Sequence, residues 1–204
     1  FANTTGANNV SVGANTLTAN TTGANNTAVG FQAGLALTVG TENVVLGDRA
    51  LTTDTKGSKS IAIGQGALNG QNFTSATDVY NTAVGAKAGL SVTTGVNNTL
   101  IGGLAGDALN TGSTNVALGV EALTTEDTGQ GSVALGYQAL YAQNYDGVSY
   151  NVAVGRNAGE AVTSGIQNTI IGGLAGTQGT DLTTGSNNIL LGYLTGTSAA
   201  DSLN

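Results

Sequence analysis

A chain of 204 residues is long enough for one ordinary domain or one repeat array, and its charged fraction of 8% is far below the roughly one quarter usual in globular domains. Five Lys and Arg against twelve Asp and Glu give a net charge of −7 with no basic cluster, which argues against nucleic acid and anionic membrane as partners. Cys, His, Met, Trp and Pro are absent, so the chain has no zinc or thiolate site, no thiol nucleophile and no Ser-His-Asp triad.

Short strands are predicted along the whole chain, each closing on a glycine. In chain order these glycines are Gly13, Gly30, Gly47 and Gly64, then, after an insertion, Gly85, Gly102, Gly119 and Gly136. A second insertion precedes Gly155 and Gly172, and a third precedes Gly192. Seven of the ten intervals are 17 residues and the others are 21, 19 and 20. A fixed period that fills a chain means a solenoid, in which each turn buries its apolar face against its neighbours. Seventeen residues are too few for a helical repeat, which needs about 33. The predicted fold is therefore all-β, a parallel β-roll of about eleven 17-residue coils, with residues 1–204 forming a single array. The chain opens on Phe1 already in repeat phase, as expected of a fragment or processed piece of something longer.

With this glycine as position 0, position −1 is always Val, Ile or Leu, and position −3 is Val, Ile or Thr, as in Val44, Ile61 and Thr82. Two residues apart on a strand, these positions share one face, and β-branched side chains suit it. Position −4 is Asn in Asn9, Asn26, Asn43, Asn81, Asn98, Asn115, Asn151, Asn168 and Asn188, and Ser in Ser60 and Ser132. Stacked at about 4.8 Å, such Asn side chains form a hydrogen-bonded ladder. A second glycine stands at −7 in nine coils, from Gly6 and Gly23 to Gly185, and both glycine columns are expected to supply φ > 0 at corners.

Position −2 points away from the Val/Ile/Leu face, where a solvated strand would be polar. It holds Ala28, Val45, Ala62, Ala83, Leu100, Ala117, Ala134, Ala153, Ile170 and Leu190. Both faces are thus apolar. A narrow coil buries one of them, and the other calls for a partner surface, most economically a second copy of the chain in a symmetric homo-oligomer.

The coils also follow a larger rhythm. Ala88 to Gly106 reads almost as Ala158 to Gly176, and Asn43 to Leu51 as Asn115 to Leu123, so about four coils make one superunit. The insertions at 69–80 and 141–150 hold Phe73, Tyr80, Tyr141, Tyr145 and Tyr150, five of the nine aromatics. These are the candidate surface-contact residues, either stacking on a sugar or protein or stapling the longer loops to the roll.

The motif Asn81 to Gly85 followed by Ala88-Gly89, repeated at Asn26 to Gly34, Asn115 to Leu123, Asn151 to Gly159 and Asn168 to Gly176, resembles the YadA-like head repeats of trimeric autotransporter adhesins. It is more similar still to the repeat arrays of tail-fibre proteins from marine phages, including cyanophages. The resemblance covers nearly the whole chain. It implies a left-handed, homotrimeric roll in an extracellular fibre of a virion or cell surface, joined to other fibre segments and contributing to host attachment through glycan or protein. It implies no catalytic residue, cofactor or metal. The adhesin coils are shorter, so an adhesin's ligand does not carry over, and Thr195 to Asn204 leave the pattern as at the exit of such an array.

Other signals carry less. Gly102 to Asp107 has the wrong spacing for a calcium β-roll, and its counterpart has Thr177 in place of Asp107. Glu126 and Asp127 beside Gly129 are expected to be solvated rather than catalytic. The chain is accordingly read as no enzyme. Thr pairs such as Thr21-Thr22 and Thr93-Thr94 keep open a monomeric ice-binding roll, as the loop aromatics keep open a glycan-binding one. Tail fibre, capsid fibre and bacterial adhesin stay open among the fibre readings.

Overall fold

The computed structural model describes residues 3–179 and 182–197. Residues 198–204 of the departing C-terminal stretch lie outside it. Among the described residues every element is a short β-strand. Eleven three-residue strands, Val10–Val12, Thr27–Val29, Val44–Leu46, Ile61–Ile63, Thr82–Val84, Thr99–Ile101, Val116–Leu118, Val133–Leu135, Val152–Val154, Thr169–Ile171 and Ile189–Leu191, stack in sequence order as one parallel sheet. The register places each strand on its equivalent in the next coil, as in Val116↔Val133, Ala117↔Ala134 and Leu118↔Leu135. The chain is a β-solenoid with ten turns of about 17 residues between its first and last strands.

The interior is lined by position −2. Ala28, Ala62, Ala83, Ala117, Ala134 and Ala153 are fully buried, as are Val45, Leu100 and Ile170. Positions −3 and −1 face outward, and Val10, Val12, Val44, Leu46, Leu118, Ile171, Ile189 and Leu191 are exposed. This reverses the assignment in which position −2 stands where a solvated residue would. The cross-section decides it: opposite the strand, Ala33, Ala50, Ala67, Ala88, Ala105, Ala122 and Ala139 also point inward, so the lumen has room for methyl groups on both walls. Larger side chains enter too, and a glycine in the same column makes room for some of them. At position +4, Leu17, Leu51, Leu68, Leu123 and Leu140 alternate with Gly34, Gly89, Gly106 and Gly159. A Cβ at Gly89 would stand 2.8 Å from Leu100 Cδ1 and 2.9 Å from Leu68 Cδ2, so its neighbours already fill its volume.

The two glycine columns do different work. At position 0, φ lies between +122° and +144°. The −7 glycines are not left-handed. They are glycine because the place of a Cβ is already taken, by the next coil's glycine carbonyl as between Gly23 and Gly40, or by the Asp54 and Glu126 carboxylates at Gly57 and Gly129. The expectation that both columns supply φ > 0 holds only for the first. Left-handed backbone is carried instead by positions −5, +2 and +4, and among the described residues all 25 non-glycine residues with positive φ fall in those three columns. They include Lys59, Arg49, Tyr80, Tyr150 and the β-branched Thr114, residue types with no preference for that region. The ladder holds them there: Arg49 N–H donates to Phe31 O at 2.9 Å, and Lys59 N–H to Thr41 O at 2.9 Å, each one coil back.

Candidate functional site

Position −4 is buried in every coil from Asn26 to Asn188. Asn98 shows the arrangement. Its Nδ2 donates to the Gly112 carbonyl at 2.9 Å, and its Oδ1 accepts the Asn115 N–H at 3.0 Å. Asn26, Asn43, Asn115, Asn151 and Asn168 likewise accept the next coil's −4 amide and donate to the carbonyl of its −7 glycine. Most links therefore run from side chain to backbone. Direct amide-to-amide bonds join only Asn43 to Asn26, Asn168 to Asn151 and Asn188 to Asn168 among the buried members. The column satisfies two buried backbone groups per turn, which no shorter or purely accepting side chain could do.

The column breaks twice, where an inserted loop pushes coils out of step. At the first break Gln71 Nε2 donates to Ser60 Oγ at 3.0 Å and to Asp54 Oδ2 at 2.6 Å, while its Oε1 accepts from Asn81 Nδ2 at 3.0 Å. At the second, Gln143 repeats this with Ser132, Glu126 and Asn151. Ser149 joins through its hydroxyl. Both carboxylates are fully buried. Asp54 accepts the amides of Gly57 at 3.0 Å and Phe73 at 3.1 Å. Glu126 accepts Gly129 N–H at 2.8 Å and Tyr145 N–H at 3.3 Å. Each inserted loop is thus hung on an inward carboxylate. The expected solvation of Glu126 is corrected: only Asp127 is exposed, because Glu126 occupies the inward position of Leu37 and Leu109 three residues before a −7 glycine. Burial raises the Glu126 carboxyl above the ordinary glutamate range, against hydrogen bonds from Gln143 and the Gly129 and Tyr145 amides that lower it.

The five loop aromatics divide. Phe73 is 7% exposed and lies against the roll. Tyr145 is half-buried, its ring 2.9 Å from where a Gly147 Cβ would be. Tyr141, Tyr80 and Tyr150 are exposed, the last two at equivalent left-handed corners, position −5. The loops bring together no cluster of all five. Sequence reasoning missed two further features. Phe31, Tyr137 and Tyr193, at position +1, extend the outward strand face, with Arg49 5.6 Å from the Phe31 ring and Arg156 5.8 Å from the Tyr137 ring. The carboxylate–Gln pairs, Asp54 with Gln71 and Glu126 with Gln143, were the other. Their phase in the inward column that also holds Leu37, Val92, Leu109 and Val162 is the signal that could have found them.

The threonines at position −9 are engaged. Thr21 Oγ1 donates to Thr38 O at 3.1 Å, Thr38 Oγ1 to Thr55 O at 2.8 Å, Thr93 Oγ1 to Asn110 O at 3.2 Å and Thr163 Oγ1 to Thr183 O at 2.9 Å. Comparison with protein-family models, with curated proteins and with solved structures gives no match.

Proposed function

We propose that this chain is a non-catalytic segment of an extracellular fibre, a phage tail or capsid fibre or a surface adhesin: a stiff left-handed roll that assembles as a parallel homotrimer and contributes to host attachment. The observation that carries the reading is the outward strand face. Positions −3, −1 and +1 leave apolar side chains exposed at both ends of the stack and exposed or half-buried between, from Val10 and Val12 through Phe31, Leu46, Leu118 and Tyr137 to Leu191 and Tyr193, interrupted by Thr27, Thr82, Thr99 and Thr169 at −3 and by Asp48, Gln65 and Arg156 at +1. Ten steps of about 4.8 Å and a width of about 13 Å make this a strip of roughly 600 Å², near the ~800 Å² that each partner gives to a standard interface. An apolar strip of that size on a chain otherwise faced with Thr, Asn and Gly is an association surface. Sister chains in the same orientation would match it rung for rung. The hydroxyls of Thr21, Thr38, Thr93 and Thr163 in the −9 column donate to carbonyls of the next coil, whereas Thr22, Thr94 and Thr184 beside that column are exposed, so a monomeric ice-binding roll is the alternative reading.

The test is mass in solution. Light scattering on purified protein is expected to give three times the 19.9 kDa chain mass, and Leu46→Lys with Leu118→Lys is expected to give folded monomers. A monodisperse, cooperatively folded wild-type monomer would overturn the reading.

A further inference from the structure

The two inserted loops are built on one plan but end differently at their corners. In the first, Tyr80 lies above Lys59 of the preceding coil. Lys59 Nζ is 5.2 Å from the ring centroid, 3.1 Å from Tyr80 Oη and 2.7 Å from Asp78 Oδ2. The stem and ammonium of Lys59 occupy that side of the ring, and Asp78 neutralises the charge. In the second, the residue equivalent to Lys59 is Gly131 and the residue equivalent to Asp78 is Val148. The backbone pairing is the same: Ser58↔Asp78 in one loop matches Gln130↔Val148 in the other. A Cβ at Gly131 would stand 3.3 Å from Tyr150 Cδ1 and 3.4 Å from Val148 Cγ1, so ring and valine flank bare backbone. Tyr150 is 62% exposed, Val148 is exposed beside it, and Ser149 between them is buried, so both project the same way.

From this difference we infer that Tyr150, seated over Gly131 with Val148 at its side, is a stacking platform for a neutral β-linked pyranose ring. The inference rests on the reading of the chain as an exposed fibre segment. Three observations choose the occupant. The open surface of one phenol ring and one valine is on the order of 10² Å², far below the ~800 Å² that a protein partner needs, and matches one sugar ring. The apolar disc with a hydroxyl at its edge suits a pyranose with equatorial hydroxyls, which presents C–H groups on its flat face and O–H groups around its rim. Residues 103–204 hold eight acidic residues and one basic residue, a field that repels an acidic glycan and leaves a neutral one unaffected. Tyr80 is 52% exposed, but one side of its ring is taken by Lys59, which Asp78 holds there. In an assembled fibre each chain would present one such platform at the same height, so weak single-ring contacts would act together.

The two loops supply their own control, since each corner can be converted into the other without leaving backbone conformations the chain already uses: φ is 63° at Lys59 and 75° at Gly131. Saturation-transfer NMR with cellohexaose as the neutral probe and oligoalginate as the anionic one would be run on the full chain. Cellohexaose is expected to bind at about millimolar affinity and oligoalginate not at all. Tyr150→Ala, and Gly131→Lys with Val148→Asp, are expected to weaken cellohexaose binding roughly tenfold or more, the equivalent of about 1.4 kcal/mol. Tyr80→Ala is expected to leave it unchanged, and Lys59→Gly with Asp78→Val to add a second site. Thermal melts check that each variant folds. No cellohexaose binding at about 10 mM, equal binding of oligoalginate, or full binding by Tyr150→Ala overturns the inference. Light scattering on the same samples separates the two readings: a trimer that ignores the sugar sinks only this inference, and a monomer that binds it sinks only the fibre.

Discussion

Gln143 Oε1 accepts from Asn151 Nδ2 at 2.8 Å while its own Nε2 donates to Glu126 Oε2 at 2.9 Å. The amide thereby carries the inner polar column across a coil whose own member, Ser132, is too short to reach Asn151. A glutamate on the other side of that amide is fixed in the charged form only at a desolvation cost.

That cost has a sign. Burial raises the folded-state pKa of Glu126 above its unfolded value, so its favourable contribution is present below the unfolded pKa and is lost as pH rises through the folded one. Glu126→Gln, which keeps an acceptor and the side-chain volume, removes this term. Melting temperatures of wild type and variant measured from pH 4 to pH 8 are expected to diverge, with the variant gaining on wild type toward neutral pH. Parallel curves would refute the burial argument.

Asn98→Ala would leave the Gly112 carbonyl and the Asn115 amide buried without partners. About 1–3 kcal/mol for each orphaned group predicts a loss of about 3 kcal/mol by chemical denaturation. Asn98→Asp should cost at least as much, since it sets a carboxylate against the Gly112 carbonyl. A loss under about 1 kcal/mol would mean that the column is incidental to stability.

Gly119 and Gly103 separate the two demands on glycine. Gly119 has φ of +144°, and the Gly136 carbonyl carbon lies 2.5 Å from where its Cβ would be, whereas nothing lies nearer than 3.9 Å to a Cβ at Gly103. Gly119→Ala is expected to destabilise by about 3 kcal/mol or more, and Gly103→Ala to stay within about 0.5 kcal/mol of wild type. Equal effects of the two substitutions would contradict the fold's register.

Thr114 is β-branched at φ of 59° in a column where Asn8, Asn25, Asn97 and Asn187 also stand. Replacing it with Asn relieves an unfavourable conformation, and Thr114→Asn is expected to stabilise by about 0.5–1 kcal/mol. A destabilised variant would show that its hydroxyl bond to Ser113 O matters more than backbone strain.

The stacking of coils was legible because one constraint repeats: each turn must meet the next in the same phase, and Gly30, Gly47 and Gly64 mark that phase without interruption. The inner column was legible for the same reason, since Asn26, Asn43 and Asn98 recur at one offset. Which strand face looks inward was not, because both are apolar. The clue lay in size rather than polarity, as the inward column is Ala in six coils, Ala117 among them, while the outward −1 column is Val, Ile or Leu throughout. The left-handed corners at Lys59 and Arg49 were hidden because pairing with adjacent coils, not residue preference, imposes them. Of the loop aromatics the sequence marked the positions, but the split between buried Phe73 and open Tyr150 depends on what the preceding coil places beneath each ring.

The alternation of leucine and glycine at position +4 bears on how such a chain can change length. Leu51 and Leu68 are followed by Gly89 and Gly106, then Leu123 and Leu140 by Gly159, and the inward carboxylates Asp54 and Glu126 each sit one turn ahead of their glutamine. Deleting or duplicating a single turn would crowd the lumen, hollow it, or part an acid from its amide. Gain or loss of whole four-turn blocks leaves every junction intact, so descendants of this rod should differ in reach by steps of roughly 19 Å.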